Sequence, residues 1–276
     1  MGKIMLEILA PFKDELAAQE ALVRQALAAT GHTASPSVAE DWNSLQKYIR
    51  PALVLLTSRL YQHRPEAAVP LAAVHQFIYL AGRVHTGVAE ECTALRREAA
   101  QSYQFPVLVG DYLYGRFFTT LCDAGQNHLL GDLARVICSM NEGGMMRAKN
   151  ALGQAGYDVT EIIRLETAEL IASCCRLGGL AGGASDQEAR HLYALGLELG
   201  MAIGRMEQGC SFSEAAIHLQ RAVNEMSVAF CRRWVPGHPP GAGQGGWDQL
   251  ERFIRLFLAP GPGIPTEAGP AGVMAG

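Results

Sequence analysis

The sequence predicts an all-α protein, and three observations carry that prediction. Four stretches, beginning at Ser37, Asp158, Ser185 and Ser211, have the S/T/D-x-x-E pattern of a capping box, each ahead of an apolar-periodic segment. Apolar residues recur at steps of three and four, most clearly Phe212, Ala216, Leu219, Val223, Met226 and Phe230, which draw one seam down a helix. The two-residue alternation of half-buried strands is scarce.

The elements follow in order. Helices are expected near 4–30, 37–47, 50–62, 66–85, 106–123, 127–152, 161–182, 186–206 and 212–230. Arg64-Pro65 and Val69-Pro70 punctuate the second helical hairpin. The Gly/Ala-rich run Leu177–Gly183 marks a close helix–helix approach or a helix end, because a helical glycine costs ~1 kcal/mol against alanine. The Phe212–Phe230 seam packs on the domain's own core or, alternatively, at a subunit interface. Residues 1–235 therefore read as one helical domain. Residues 236–246 read as a Gly/Pro linker, 247–258 as a short amphipathic helix with Trp247, Leu250, Ile254 and Phe257 on one face, and 259–276 as a disordered tail.

Composition removes several function classes. The 276 residues carry a formal charge of −4 without a basic block, so nucleic-acid binding has no electrostatic footprint. Seven scattered cysteines without C-x-x-C spacing argue against a zinc site or disulfide framework and read as buried reduced thiols of a cytosolic protein. The N-terminus lacks the apolar core of a signal peptide, and Leu6 stands where a myristoylation site needs Ser or Thr. No uninterrupted apolar run reaches the ~20 residues of a membrane span. The expectation is a cytoplasmic protein with no transmembrane segment. His75 and His85 lack a paired acid at ligand spacing and read as core or surface histidines. Met145, Met146 and Trp234 read as packing.

Three segments, in order and at suitable spacing, carry a resemblance. They are Gln46-Lys47-Tyr48-Ile49-Arg50-Pro51, Val107-Leu108-Val109-Gly110-Asp111-Tyr112-Leu113, and Ile163-Arg164-Leu165-Glu166-Thr167-Ala168 followed later by Leu199-Gly200-Met201-Ala202. Over roughly residues 40–211 the chain resembles the trans-polyprenyl diphosphate synthase (polyprenyl synthetase) family. The segments match its Gly-Lys-x-x-Arg-Pro opening, its Gly-Asp-Tyr-Leu helix and its Lys-Thr-Ala and Leu-Gly-x-Ala-Phe-Gln motifs. The resemblance implies an isoprenoid-synthase-type antiparallel helical bundle around a central cavity, usually dimeric. It implies prenyl transfer to isopentenyl diphosphate, with Mg²⁺ held by two facing Asp-Asp-x-x-Asp clusters. Mg²⁺ asks for hard oxygen ligands, and carboxylates one turn apart on a helix converge on one face.

This sequence departs from the family at those positions. After Val84-His85 the first cluster reads Thr86-Gly87-Val88-Ala89-Glu90. The second reads Glu207-Gln208-Gly209-Cys210-Ser211. Thr86, Gly87, Glu90, Glu207, Gln208 and Ser211 are thus degenerate metal-motif positions, with one acid per cluster. Glu166 replaces the family lysine, Ile203-Gly204 replace the aromatic-Gln pair, and the lysine-bearing loop after the second cluster is missing. Lys47, Arg50, Arg96 and Arg97 match cations that in the family hold isopentenyl diphosphate, although Tyr79 and Glu98 replace a histidine and a glycine of that site. Without the resemblance, Lys47 and Arg50 are a surface pair at a helix start, and Arg96-Arg97 lie on a solvated helix face. Asp111 reads as a structural or supporting acid.

A catalytic metal supplies several kcal/mol of charge stabilisation, and each ~1.4 kcal/mol is tenfold in rate. Two crippled clusters therefore point to a non-catalytic subunit, a pseudoenzyme that partners an authentic prenyl diphosphate synthase in isoprenoid (quinone side-chain) biosynthesis or forms a homodimer. No catalytic residue, bound metal or cofactor is expected on that reading. One alternative is a weak or divergent prenyltransferase using Glu90, Glu166 and Glu207, which would need Mg²⁺. Another is a protein that binds a prenyl lipid or prenyl diphosphate without a partner synthase.

Overall fold

The first helix stops at Ile8 and a 3₁₀ turn through Pro11 leads into the second, a pattern of helices joined by short turns that recurs along the chain. The computed structural model describes residues 2–29, 46–94, 100–233 and 243–257, with side chains at 4–29, 46–86, 107–226 and 245–257. In chain order the α-helices are α1 (Gly2–Ile8), α2 (Lys13–Ala29), α3 (Gln46–Arg59), α4 (Pro65–Ala94), α5 (Ala100–Asp123), α6 (Leu130–Ala151), α7 (Val159–Ile163), α8 (Glu169–Ala181), α9 (Asp186–Glu207), α10 (Phe212–Arg233) and α11 (Gly243–Arg255). Three-residue 3₁₀ turns precede α2 and α6. A π-helical turn, Arg164–Ala168, joins α7 to α8. There is no strand among the described residues, so the all-α expectation holds.

Helix α4 is the centre. Leu71, Ala72, Ala73, Val74, Phe77, Ile78, Leu80 and Ala81 are fully buried. Burying a side chain of Leu or Phe size contributes roughly 1.5–3 kcal/mol each. Helices α3, α5 and α8 pack around α4, α9 lies on α8, and α10 lies on α9. The 22-residue stretch Pro65–Thr86 is, by length and composition alone, long and apolar enough to cross a bilayer, but most of it is buried inside the bundle. Its apolar run is interrupted by His75, Gln76 and Arg83, and it is spent on the core of the bundle.

Several boundaries differ from the sequence reading. The first long helix splits at Leu9–Phe12. The expected 161–182 helix is three pieces, because the chain widens into the π turn before α8. Ser185 forms the full expected capping box with Glu188. Asp158 caps α7 through Thr160 N–H at 2.9 Å, while Glu161 turns to Arg164. Ser211 makes no box: its hydroxyl meets that of Ser213, and Glu214 pairs with Arg205. The seam of α10 runs through Ala215, Leu219, Ala222, Val223 and Met226, and Phe212 is exposed. The cap and helix expected at 37–45 and the tail at 259–276 lie outside the described residues. Cys174 and Cys175 are buried as expected, but Cys122 and Cys138 are exposed.

Helix α11 begins at Gly243, inside the stretch expected to be linker. Packing overrides the poor helix propensity of its glycines. Trp247, Leu250, Phe253, Ile254 and Phe257 are buried, and a Cβ at Gly246 would lie 3.0 Å from the Arg59 carbonyl oxygen, so this turn seats directly on the end of α3. At that end His63 bridges the α3–α4 turn to α2, with Nδ1 3.0 Å from Ser58 Oγ and Nε2 2.8 Å from Glu15 Oε2.

The Gly/Ala-rich run is both a close approach and a helix end. A Cβ at Gly178 would lie 2.3 Å from Thr57 Oγ1 and 2.6 Å from the Val54 carbonyl oxygen. Gly182 is the C-cap of α8 and sits against the Ser58 carbonyl. Since the Val54 contact is backbone, it cannot rotate away. Gly178→Ala is expected to lower stability by about 1–3 kcal/mol, the cost of overpacking a filled core, measured by urea unfolding. An unchanged midpoint would show that α3 and α8 can separate freely.

His75 is wholly buried. Nδ1 lies 2.8 Å from the Leu71 carbonyl oxygen and Nε2 3.0 Å from Ser173 Oγ, so the neutral tautomer donates to the first and accepts from the second. Burial pushes its pKa down to about 4, helped by the nearby Arg50 charge. The folded state holds His75 neutral while the unfolded chain protonates near the ordinary value, so the stability His75 confers is complete above pH ~6.5 and is lost as pH falls from there toward about 4. The expected loss is on the order of 3 kcal/mol. His75→Gln should flatten that limb of the stability–pH curve, and an equal slope in the variant would assign the acid sensitivity to other groups.

Candidate functional site

One end of the bundle gathers the motif positions. Helix α3 starts there at Gln46, the second half of α4 passes it, α5 crosses α4 near residue 110, and the π turn, the last turns of α6 and the C-terminus of α9 close the ring.

On the first wall, Val84 is buried and His85 is partly buried beside α5. A Cβ at Gly110 would lie 2.2 Å from His85 Nε2, so the glycine of the Gly-Asp-Tyr-Leu segment makes the room this imidazole occupies. His85 Nε2 is 3.4 Å from Asp111 Oδ1 and 3.4 Å from the Val107 carbonyl oxygen, and its ring packs on Tyr114 with centroids 5.6 Å apart. Asp111 thus supports His85 from an exposed position. Thr86 is partly buried on α4. The side chains of Gly87 and Glu90 are outside the described set, as are Arg96 and Arg97 entirely. Gly82, one turn earlier, faces Met140, whose Cε would lie 2.8 Å from a Cβ there.

On the opposite wall, the C-terminus of α9 brings Glu207 and Gln208 to the other helices. Gln46 Nε2 donates to Glu207 Oε1 at 2.6 Å, joining the start of α3 to the end of α9. Glu166, on the π turn, is held by Arg147 of α6: Nε donates to Oε2 at 2.9 Å and to Oε1 at 3.2 Å, and Nη2 also donates to Oε2. With the Gln208 amide turned so that its oxygen faces the guanidinium, that oxygen accepts from Nη1 and Nη2 of Arg147, both at 3.1 Å. Ser211 lies beyond this group, exposed, and bonds Ser213.

The two described members of the expected diphosphate remnant differ sharply. Lys47 Nζ lies 3.7 Å from Glu20 Oε1 and 4.6 Å from the centre of the Tyr48 ring. Arg50 is only 2% exposed, which corrects the surface-pair reading: its guanidinium stacks on Tyr79 at 3.3 Å from the ring centre and donates through Nη1 to the Gln46 carbonyl and side-chain oxygens, both at 3.3 Å. Its Nε and both amide atoms of the buried Gln76 have no hydrogen-bond partner.

Mg²⁺ needs near-octahedral oxygen ligands at ~2.0–2.1 Å. The described side chains do not fit that demand. Glu166 is covered by a guanidinium, Glu207 is bound to an amide, and no group of three or more His, Cys, Asp or Glu among the described residues could hold a metal ion. The sequence reading missed Arg147, which it passed over beside Met145 and Met146, and the roles of Gln46 and Gln76. A basic residue one α6 turn beyond Gly143-Gly144 was the available sign, but nothing in its spacing pointed to Glu166.

The comparisons with known proteins agree with this layout. The chain is 32% identical over 163 residues to heptaprenyl diphosphate synthase component 2 of Geobacillus stearothermophilus, covering 56% of this chain and 51% of that protein. It is 28% identical over 165 residues to octaprenyl diphosphate synthase of Escherichia coli (strain K12), covering 56% and 50%. The aligned region spans about half the length of these curated relatives. Among solved structures, a decaprenyl diphosphate synthase from Rhodobacter capsulatus superposes with a TM-score of 0.66 at 20% identity, over 92% of this chain and 98% of the other, which shows the shared fold. The polyprenyl synthetase family model matches residues 40–203, and with the motif segments gathered at one end of an isoprenoid-synthase bundle, the chain belongs to the polyprenyl synthetase family.

Proposed function

We propose that this chain is a non-catalytic, cytoplasmic subunit that partners an active prenyl diphosphate synthase in isoprenoid (quinone side-chain) biosynthesis. One observation carries the reading: Glu166 and Glu207, the acids described at the cluster-bearing end, are each engaged by an internal partner, Arg147 and Gln46. Glu207 stands in the second cluster, where a family that is normally Mg²⁺-dependent needs free oxygen ligands, and Glu166 puts a carboxylate where the family carries a lysine. A matched relative is named as one component of a heptaprenyl diphosphate synthase, which supports a role within a heteromer. The expected result is no incorporation of labelled isopentenyl diphosphate into farnesyl diphosphate with Mg²⁺ by the purified chain alone. Adding an authentic synthase should yield a complex with altered rate or product length. Turnover by the chain alone, abolished by Glu90→Gln, would instead establish a divergent prenyltransferase, and absence of a complex with any co-expressed synthase would sink the subunit role.

A second reading, a prenyl-diphosphate-binding protein, is favoured by Arg50. A buried guanidinium without a carboxylate partner is costly, and its Nε and the amide of the buried Gln76, neither with a hydrogen-bond partner among the described residues, leave polar capacity in the core. On this reading the isolated chain binds farnesyl diphosphate saturably. Arg50→Gln then weakens binding by about tenfold or more, the scale of one charge-assisted hydrogen bond. A calorimetric titration without saturable heat removes this reading.

A further inference from the structure

The Arg147 cluster ties three separate elements at one point. Arg147 comes from the last turns of α6, Glu166 from the π turn, and Gln208 from the residue that ends α9. The contact is built in rather than incidental. Glu166 crosses α6 over two glycines: a Cβ at Gly143 would lie 2.7 Å from Glu166 Cγ, and one at Gly144 would lie 3.7 Å from Glu166 Oε1. The Glu166 side chain is 13% exposed and that of Arg147 34%. An exposed ion pair contributes little, but a guanidinium fork with both oxygens of a largely buried carboxylate and a third partner on another helix fixes geometry. The last turn of α9 is also fastened by Gln46 to Glu207 at 2.6 Å and by Arg205 to Thr160 and Glu214, each at 3.2 Å.

We propose that Arg147 is a built-in cation: it binds Glu166 and Gln208 together and locks α6, the π turn and α9 in place, the work an external metal ion would do at such an oxygen-lined junction. The cation is covalently part of the chain, so this junction is held without metal or diphosphate, and Glu166, the acid that faces it, is unavailable as a ligand. This inference stands apart from the question of partnership. A chain that pairs with no synthase would still carry the lock, and a chain that regulates one could do so without it.

The full chain tests it by backbone hydrogen exchange at 164–168 and 203–208 and by thermal unfolding. Arg147→Gln should speed exchange in both segments by about tenfold or more, as local opening becomes easier, and Glu166→Gln should do the same. The reversed pair, Arg147→Glu with Glu166→Arg, should recover most of the lost protection, an outcome that loss of side-chain packing alone would not produce. The wild-type melting temperature should be indifferent to EDTA and to MgCl₂. Wild-type exchange rates in Arg147→Gln, no recovery in the reversed pair, or a rise in wild-type melting temperature with Mg²⁺ alone would each overturn the proposal.

Discussion

A row of glycines on one face of α9 sets the geometry of this end of the molecule. Gly196, Gly200 and Gly204 recur every four residues and face Ala172, Ala168 and Ile163. A Cβ at each would lie 2.5–2.7 Å from an atom already in place. Residues four apart share a helix face, so the row is a continuous seam that lets α9 lie against α8, the π turn and α7 at backbone contact. Dispersion between close-packed backbones is weak per atom and large in sum. Here it also acts as a ruler, because the seam runs directly into Glu207 and Gln208 and delivers them to Gln46 and Arg147. Loosening the seam would move the charged cluster before it touched the core around α4.

The charges at that end are arranged as an inversion of what the resemblance implies. Where the family carries a lysine, this chain carries Glu166; where acids cluster, it carries Gln208; and the cation stands on a third helix as Arg147. A free carboxylate beside a diphosphate would repel it, and a guanidinium beside metal-ligating acids would repel the metal. Each substitution alone would leave an uncompensated buried charge, which costs several kcal/mol. Together they satisfy one another. Within the Arg147–Glu166–Gln208 cluster the charges balance, so this corner is internally paired and not merely short of acids.

Much of the fold was legible because it depends on local signals. The Ser185 capping box, the Asp158 cap and the Gly/Ala run that closes α8 were read from spacing, and the structure uses each of them. What failed depended on tertiary contact. Phe212 continues the period of α10 but has no surface to cover, so it is exposed. Gly243 enters a helix because Trp247, Phe253 and their neighbours dock on the end of α3, a gain that no local propensity shows. Of the site, the motif segments and the acid losses were visible in the sequence. The partners of the remaining acids were not, since Gln46 is 161 residues from Glu207 and Arg147 is 19 from Glu166, and neither separation carries a helical period.

Arg50 sets a limit on how far the departures from the family motifs extend. If the whole site were idle, nothing would maintain a guanidinium at 2% exposure, and an apolar side chain of similar volume would be neutral or stabilising there. The contacts it makes are modest: a stack on Tyr79, and two hydrogen bonds at 3.3 Å to one glutamine. The neutral His75 offers no counter-charge, since burial and the Arg50 charge both disfavour its protonation. Glu166 has a cationic partner at this end, whereas Arg50 has no carboxylate partner among the described residues. An anionic group reaching Arg50 from the cavity side would meet a donor already desolvated, at a position where the cost of burying the charge has been met by the fold. What stands at one end of the bundle and what stands in its core are therefore separate: Glu166 and Glu207 have internal partners, while Arg50 keeps a donor with no hydrogen-bond partner among the described residues.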